Sequence, residues 1–151
     1  QHLSLADDSG LCVDALNGAP GIYSARYAEG SDRDRYMMLL KNLRGVTQRE
    51  AHFTCALSLS GLSQSVREYY ADLSEFSGLR WYRDSLIAEG YCHGKILDSA
   101  YGDHGFGYDP VFQLNDGRYV GELKAQDKNL VSRRAQACKK IYPFLKKIFD
   151  I

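Results

Sequence analysis

From Ala51 to Ser60 the chain alternates with a period of two. Ala51, Phe53, Cys55, Leu57 and Leu59 are set against His52, Thr54, Ala56, Ser58 and Ser60, and Gly61 follows. Successive side chains of an extended chain point to opposite faces, so this pattern demands a strand with one face in a core and the other turned outward. Helical patterns on either side make the body α/β. Ser31 is a good N-cap, Asp32 and Asp34 place negative charge on the first turn, and Met37, Leu40 and Leu43 carry an apolar run that ends near Gly45. Met37 and Met38 read as core-filling side chains. Ser132 can cap a last helix in which Cys138, Ile141, Tyr142, Leu145 and Phe149 form an apolar stripe opposed by Lys139, Lys140, Lys146 and Lys147. Pro143 should kink or divide that helix.

The 151 residues are the size of one domain, and no repeat or low-complexity linker interrupts them. Nineteen basic residues balance nineteen acidic ones, so no overall field favours nucleic acid or an anionic membrane. No apolar run approaches the roughly 20 residues of a membrane span, and no secretory signal opens the chain. Cys12, Cys55, Cys92 and Cys138 form no Cys-x-x-Cys pair; three of them sit in apolar strand-like runs or on an apolar helix face, which reads as the reduced, packed thiols of a cytoplasmic protein, with a zinc site as the alternative.

Polar chemistry concentrates in a few places. Leu3 to Ala6 and Leu11 to Leu16 read as short strands around Asp7-Asp8-Ser9-Gly10. That tetrapeptide is either a platform for an oxygen-seeking cation such as Mg²⁺ or an Asx-type turn closed by Gly10. Neighbouring side chains on an extended chain face opposite ways, so one Asp serves a site while the other orders the turn. Asn17 to Gly21 is a cluster of turn formers, and Arg26 reads as covering its own turn. Residues 62–84 carry Val66, Tyr69, Tyr70, Leu73 and Phe76 at helical spacing, which reads as a helix whose aromatic stripe packs on the body of the protein, with a subunit or partner contact as the alternative. In the strand-like run from Leu86 to Leu97, Gly90 and Gly94 argue for close backbone approach. Gly105-Phe106-Gly107-Tyr108-Asp109-Pro110 is a glycine-rich loop. Beyond it, Val111 to Leu114 and Arg118 to Leu123 should pair as a hairpin across Asn115-Asp116-Gly117.

Three ordered blocks resemble the inosine triphosphate pyrophosphatase family, which acts on non-standard purine nucleoside triphosphates. They are Leu5 to Tyr27, Gly105 to Pro110 with Val111-Phe112, and Glu122-Leu123 followed by Lys128-Asn129 and Ser132-Arg133-Arg134-Ala135. The resemblance implies a long, mixed, twisted sheet flanked by helices, in two lobes with a nucleotide cleft between them, and commonly a homodimer. It implies Mg²⁺-dependent hydrolysis of ITP, dITP or XTP to the monophosphate and pyrophosphate. Asp8 matches the family's metal-binding and water-activating residue, and Ser9 a substrate contact. Phe106, Gly107, Tyr108 and Asp109 match the nucleotide-contact tetrad, with Phe106 stacking on the purine and Asp109 accepting from the protonated ring nitrogen of a 6-oxo base. Lys128, Arg133 and Arg134 match the basic substrate contacts, and Arg134 is the expected reader of the 6-oxo group. Arg133 departs from the family's usual His. Residues 62–84 stand where relatives have a short turn, so they read as an insertion. The family's phosphate loop, a second lysine and a metal-binding Glu would precede Gln1, so residues 1–151 by themselves are expected to be inactive. The alternatives are a non-catalytic nucleotide-binding remnant or a related hydrolase of modified pyrimidine nucleotides.

Overall fold

A computed structural model describes residues 2–150 and shows a mixed α/β architecture. Its elements are β1 (Ser4–Val13), α1 (Asp32–Asn42), β3 (Glu50–Ser60), α2 (Gln64–Tyr69), β4 (Leu79–Tyr82), β5 (Ser85–Ile96), β6 (Phe112–Leu114), α3 (Ala125–Val131) and α4 (Arg133–Phe149), with a two-residue β2 (Pro20–Gly21) after β1. The strands form a sheet in the order β2-β1-β3-β5-β4, with β6 also on β5. The β1–β2, β4–β5 and β5–β6 pairs are antiparallel. The chain forms two compact units: one holds the segment ending at Asp8, Cys55–Tyr91 and the segment from Arg133 onward, and the other holds Ser9–Thr54 and Cys92–Ser132.

The Ser9–Thr54 and Cys92–Ser132 unit is built on a core of Leu11, Val13, Leu39, Leu43, Phe53, Ile96, Val111 and Phe112. The Phe53 and Phe112 rings lie 4.6 Å apart. Strand β3 alternates buried and half-buried along its length, as its sequence requires. Helix α1 starts where Ser31 specifies. The Ser31 hydroxyl accepts the Asp34 N–H, while the Asp34 carboxylate takes the Ser31 N–H at 2.7 Å, so two otherwise orphaned donors are satisfied reciprocally. Its buried line is Leu39 and Leu43, and Met37 and Met38 are exposed rather than core-filling. Arg26 does cover its own turn, over the Tyr23 ring. Past β6, the Asn115–Gly117 turn forms, with Gly117 N–H on Leu114 O, and the returning arm accepts Leu114 N–H at Arg118 O and bridges at Tyr119 before it coils into a 3-10 turn at Val120–Glu122.

The other unit has its own core, with Cys55, Leu57, Leu59, Leu86, Ala88, Ala137, Ile141 and Phe144. Edge-on aromatics surround Phe144: Tyr70 at 5.2 Å, Phe76 at 5.3 Å and Trp81 at 6.3 Å between centroids. Most of the apolar content of residues 62–84, including Val66, Tyr70, Leu73 and Phe76, therefore packs on the protein's own body, but Tyr69 is 80 % exposed and leaves the stripe. Its helix is only the six residues of α2, and the segment then turns into a β4–β5 hairpin with Arg83 at positive φ. Helix α4 runs on unbroken through Pro143. Its buried line is Ala137, Ile141 and Phe144, whereas Cys138, Tyr142 and Phe149 are exposed, so the stripe read from the sequence is displaced around the helix. Gly90 explains how α4 lies so close to β5. A methyl group there would strike the Arg133 carbonyl and the Ala137 amide.

Strand β1 differs from its sequence reading in one informative respect. Asp7, Asp8 and Ser9 do not break it, because a single ten-residue strand runs from Ser4 to Val13. The acids are strand residues with alternating directions, not members of a turn.

Candidate functional site

In the unit that holds residues 92–132, the loop from Gly105 to Pro110 is braced from inside. The Asp109 side chain is 1 % exposed, and its Oδ2 accepts the Phe106 N–H at 2.7 Å together with the Lys128 ammonium. Gly105 makes room for this: its φ is +85°, and a methyl group there would collide with the Asp109 carboxylate. Helix α3 supplies Lys128, whose Nζ also stands 4.2 Å from the centroid of the Phe106 ring. Phe106 is 55 % exposed, an unusual position for so large an apolar residue next to a buried ion pair.

The same loop is braced from outside by α1. Gly107 N–H donates to Asp32 Oδ2 at 2.6 Å, and Arg35 Nη2 donates to Asp32 Oδ1 at 2.6 Å. Those two donors, Arg35 first and then Gly107, hold the Asp32 carboxyl below the usual carboxylate range. Tyr108 points inward, and its hydroxyl donates to Ser24 O at 2.8 Å. Burial pushes its pKa up to about 12. Ser24 in turn gives its hydroxyl hydrogen to Gly21 O at 2.7 Å and accepts Leu11 N–H at 2.9 Å. One serine thus joins β1, the residue 20–27 tract and the aromatic loop. Ser9 is half-buried, and among the described residues its hydroxyl is buried without a hydrogen-bond partner. A buried hydroxyl in that state is costly unless something else uses its donor.

In the other unit, Asp7 and Asp8 lie exposed on β1, and Arg133 and Arg134 open α4. Asp7 Oδ2 accepts from Arg134 Nε, so Asp7 serves as the guanidinium's counter-charge and not as a turn former. This bond is also the leading cause that raises the Arg134 pKa above its ordinary value. Asp8, the next residue on an extended strand, faces the opposite side from Asp7. Arg133 is half-buried, with its carbonyl against Gly90.

The structure therefore gathers Phe106, Gly107, Tyr108, Asp109 and Lys128 into one braced loop, and separately pairs Arg134 with Asp7. Asp109, which the resemblance implies accepts from a base, places its Oδ2 on the Phe106 N–H and the Lys128 ammonium. Sequence reasoning assigned Asp32 only to the first turn of α1 and gave Arg35 and Ser24 no part, since nothing local marks a contact to Gly107 or Tyr108 far along the chain. Among the described residues no group of three or more His, Cys, Asp and Glu could hold a metal ion. A single exposed carboxylate such as Asp8 still fits Mg²⁺, which commonly takes one or two carboxylates and fills its shell with water and substrate phosphate.

A model of the Ham1 family matches residues 1–144. A dITP/XTP pyrophosphatase from Synechocystis sp. is 41 % identical over 139 residues, covering 91 % of this chain and 62 % of that protein. A second dITP/XTP pyrophosphatase, from Synechococcus sp., is 42 % identical over 150 residues, covering 99 % of this chain and 64 % of its own length. The chain thus spans slightly less than two thirds of these two relatives. The Staphylococcus aureus Ham1 protein superposes with a TM-score of 0.81 at 36 % identity, over 96 % of this chain and 67 % of that one.

Proposed function

Because the chain belongs to the Ham1 family, we propose that the protein hydrolyses non-standard purine nucleoside triphosphates, ITP, dITP and XTP, to the monophosphate and pyrophosphate. The observation that carries this reading is the exposed Phe106 ring on a loop held rigid by Asp109, Lys128 and Asp32. A fixed aromatic face stacks on a purine for about 1–3 kcal/mol, whichever purine it is. Choice between bases then rests on donors and acceptors at the base edge. A 6-oxo purine presents an acceptor where adenine presents a donor, and Arg134 supplies N–H groups for it. The partnerless Ser9 hydroxyl supports a role as donor to a phosphate oxygen.

In the reaction, a water oxygen attacks the α-phosphorus in line, the bond to the bridging oxygen of the β-phosphate breaks, and pyrophosphate leaves. Asp8 accepts the proton from the attacking water and would hold Mg²⁺. When bound, that cation neutralises charge on the phosphates. Lys128, Arg133 and Arg134 add positive charge for the substrate. The same reading makes the protein a homodimer of the cytoplasm. Free thiols at all four cysteines agree with a reducing compartment, and no helix among the described residues is long and apolar enough to cross a membrane.

The test is pyrophosphate release by the full gene product from ITP, dITP and XTP against ATP and GTP, with and without Mg²⁺. The expected result is a large kcat/KM preference for the first three, abolished in Asp8→Asn. Near-normal turnover by a folded Asp8→Asn protein, or equal use of ATP, would overturn the reading.

A further inference from the structure

We infer that Asp32, at the start of α1, is the positioning residue that sets the direction of the Phe106 ring by anchoring the Gly107 amide. The two consecutive amides that define the Phe106 backbone are each held by a different carboxylate. Phe106 N–H is taken by Asp109, inside the loop, at 2.7 Å, and Gly107 N–H is taken by Asp32, from α1, at 2.6 Å. With both peptide groups tied down, the Cα–Cβ bond of Phe106 has one direction. The ring of this 55 % exposed residue then swings only through its own side-chain rotamers and not through the backbone.

Asp32 suits this task because its own position is fixed from two sides. The Ser31–Asp34 capping box sets where the helix begins. Arg35, one turn on, grips Oδ1 at 2.6 Å and is itself tied to Gly30 O at 2.9 Å. Both carboxylate oxygens are thereby assigned, Oδ1 to Arg35 and Oδ2 to Gly107, so the side chain cannot swing away without losing a charge-assisted bond. Gly107 sits at φ +62° with open space where a Cβ would be, so residue 107 has no side chain of its own to hold it, unlike the buried Tyr108 that follows. Freed from Asp32, residue 107 regains the conformational freedom of glycine, and the fraction of protein with Phe106 presented correctly falls. Apparent affinity drops by that same fraction.

This inference rests on the purine-stacking role given to Phe106, so its experiment has one arm that needs no nucleotide. The first arm measures hydrogen exchange at the Gly107 amide in the protein and in Asp32→Ala. The second measures KM and kcat for ITP and for ATP in Asp32→Ala, Asp32→Asn, Phe106→Ala and the Asp32→Ala/Phe106→Ala pair. The expected result is faster Gly107 exchange and a KM raised about tenfold for both nucleotides, the scale of one charge-assisted hydrogen bond. kcat should stay close to its original value. Asn, which keeps one acceptor oxygen, should fall between Asp and Ala. In the double variant the Asp32 change should add nothing, because no stacking remains for it to position. A helix-capping role alone would instead lower Tm and add fully to Phe106→Ala. Unchanged Gly107 exchange, or full additivity in KM, overturns the inference. If Asp32→Ala does not fold, Asp32→Asn is read by the same two arms, and absence of any change in either overturns it equally. Protection of Gly107 that depends on Asp32, in a protein that binds no purine nucleotide, would sink the proposed function and leave the anchor standing.

Discussion

Each compact unit contains an acid paired with a base from the candidate site, and the two pairs are built in opposite ways. Asp109 is 1 % exposed and its partner Lys128 14 %, whereas Asp7 is 28 % exposed and Arg134 55 %. The first pair lies within a loop, and its carboxylate also holds a backbone amide. The second joins a strand to the first turn of a helix in contact with water. Burial decides what each can do. A buried ion is costly to leave alone, so the first pair is locked and shapes the loop. An exposed pair is worth little in net terms, so Arg134 can exchange Asp7 for another acceptor at small cost. The difference separates a pair that shapes a loop from one whose partners stay in contact with water.

The largest test of that contrast is Asp109→Ala. It strands the Lys128 ammonium beside the Phe106 ring and frees the Phe106 amide, and should cost about 3–5 kcal/mol of stability by urea denaturation. Adding Lys128→Met should recover part of the loss. A cost as small as that of a surface pair would erase the distinction.

A smaller effect concerns the lining of the same loop. Tyr108 has a pKa of about 12 in the folded chain against an ordinary 10.0. Below pH 10 both folded and unfolded states hold the proton and nothing changes. Between about 10 and 12 the unfolded chain releases it while the folded one keeps it, so stability falls as pH rises, by on the order of 2 kcal/mol in all. The pH dependence of stability should be shallower in Tyr108→Phe across that window, and identical slopes would refute the coupling.

The smallest effect should come from Asp7→Asn, at most about 1 kcal/mol in stability and further reduced by salt. Loss on the scale of Asp109→Ala would show that the exposed pair is locked as well.

These contrasts also explain what the sequence can and cannot reveal. The β3 alternation and the Ser31 cap are local signals and appear as read, because side-chain period and capping depend on residues within one turn or one strand. The stripes of α1 and α4 appear in part, at Leu40, Leu43, Ile141 and Leu145, while Met37, Met38, Cys138, Tyr142 and Phe149 are exposed instead. A helix with apolar residues on several sides has no unique inward direction until a neighbour is chosen. Asp7 and Asp8 looked like a turn because their types favour one, and strand pairing overrode that preference. The aromatic loop was legible through its resemblance to a family, but its bracing was not. The contact from Asp32 to Gly107 joins residues with no shared pattern, and the commitment of Asp109 to Lys128 and Phe106 follows from burial that no local motif reports.

Gly90 carries a consequence for Arg134. Where α4 crosses β5, the spacing between them is set by bare backbone, with Gly90 facing the Arg133 carbonyl and the Ala137 amide. That crossing works as a mechanical stop. It fixes how far the helix can approach and how it is rolled, and Arg134 lies on the turn that is stopped. The reach of the guanidinium toward Asp7 is therefore calibrated by a hydrogen atom on another strand. A single methyl group at position 90 would act as a shim, lifting the start of α4 and retuning that reach without touching either charged side chain.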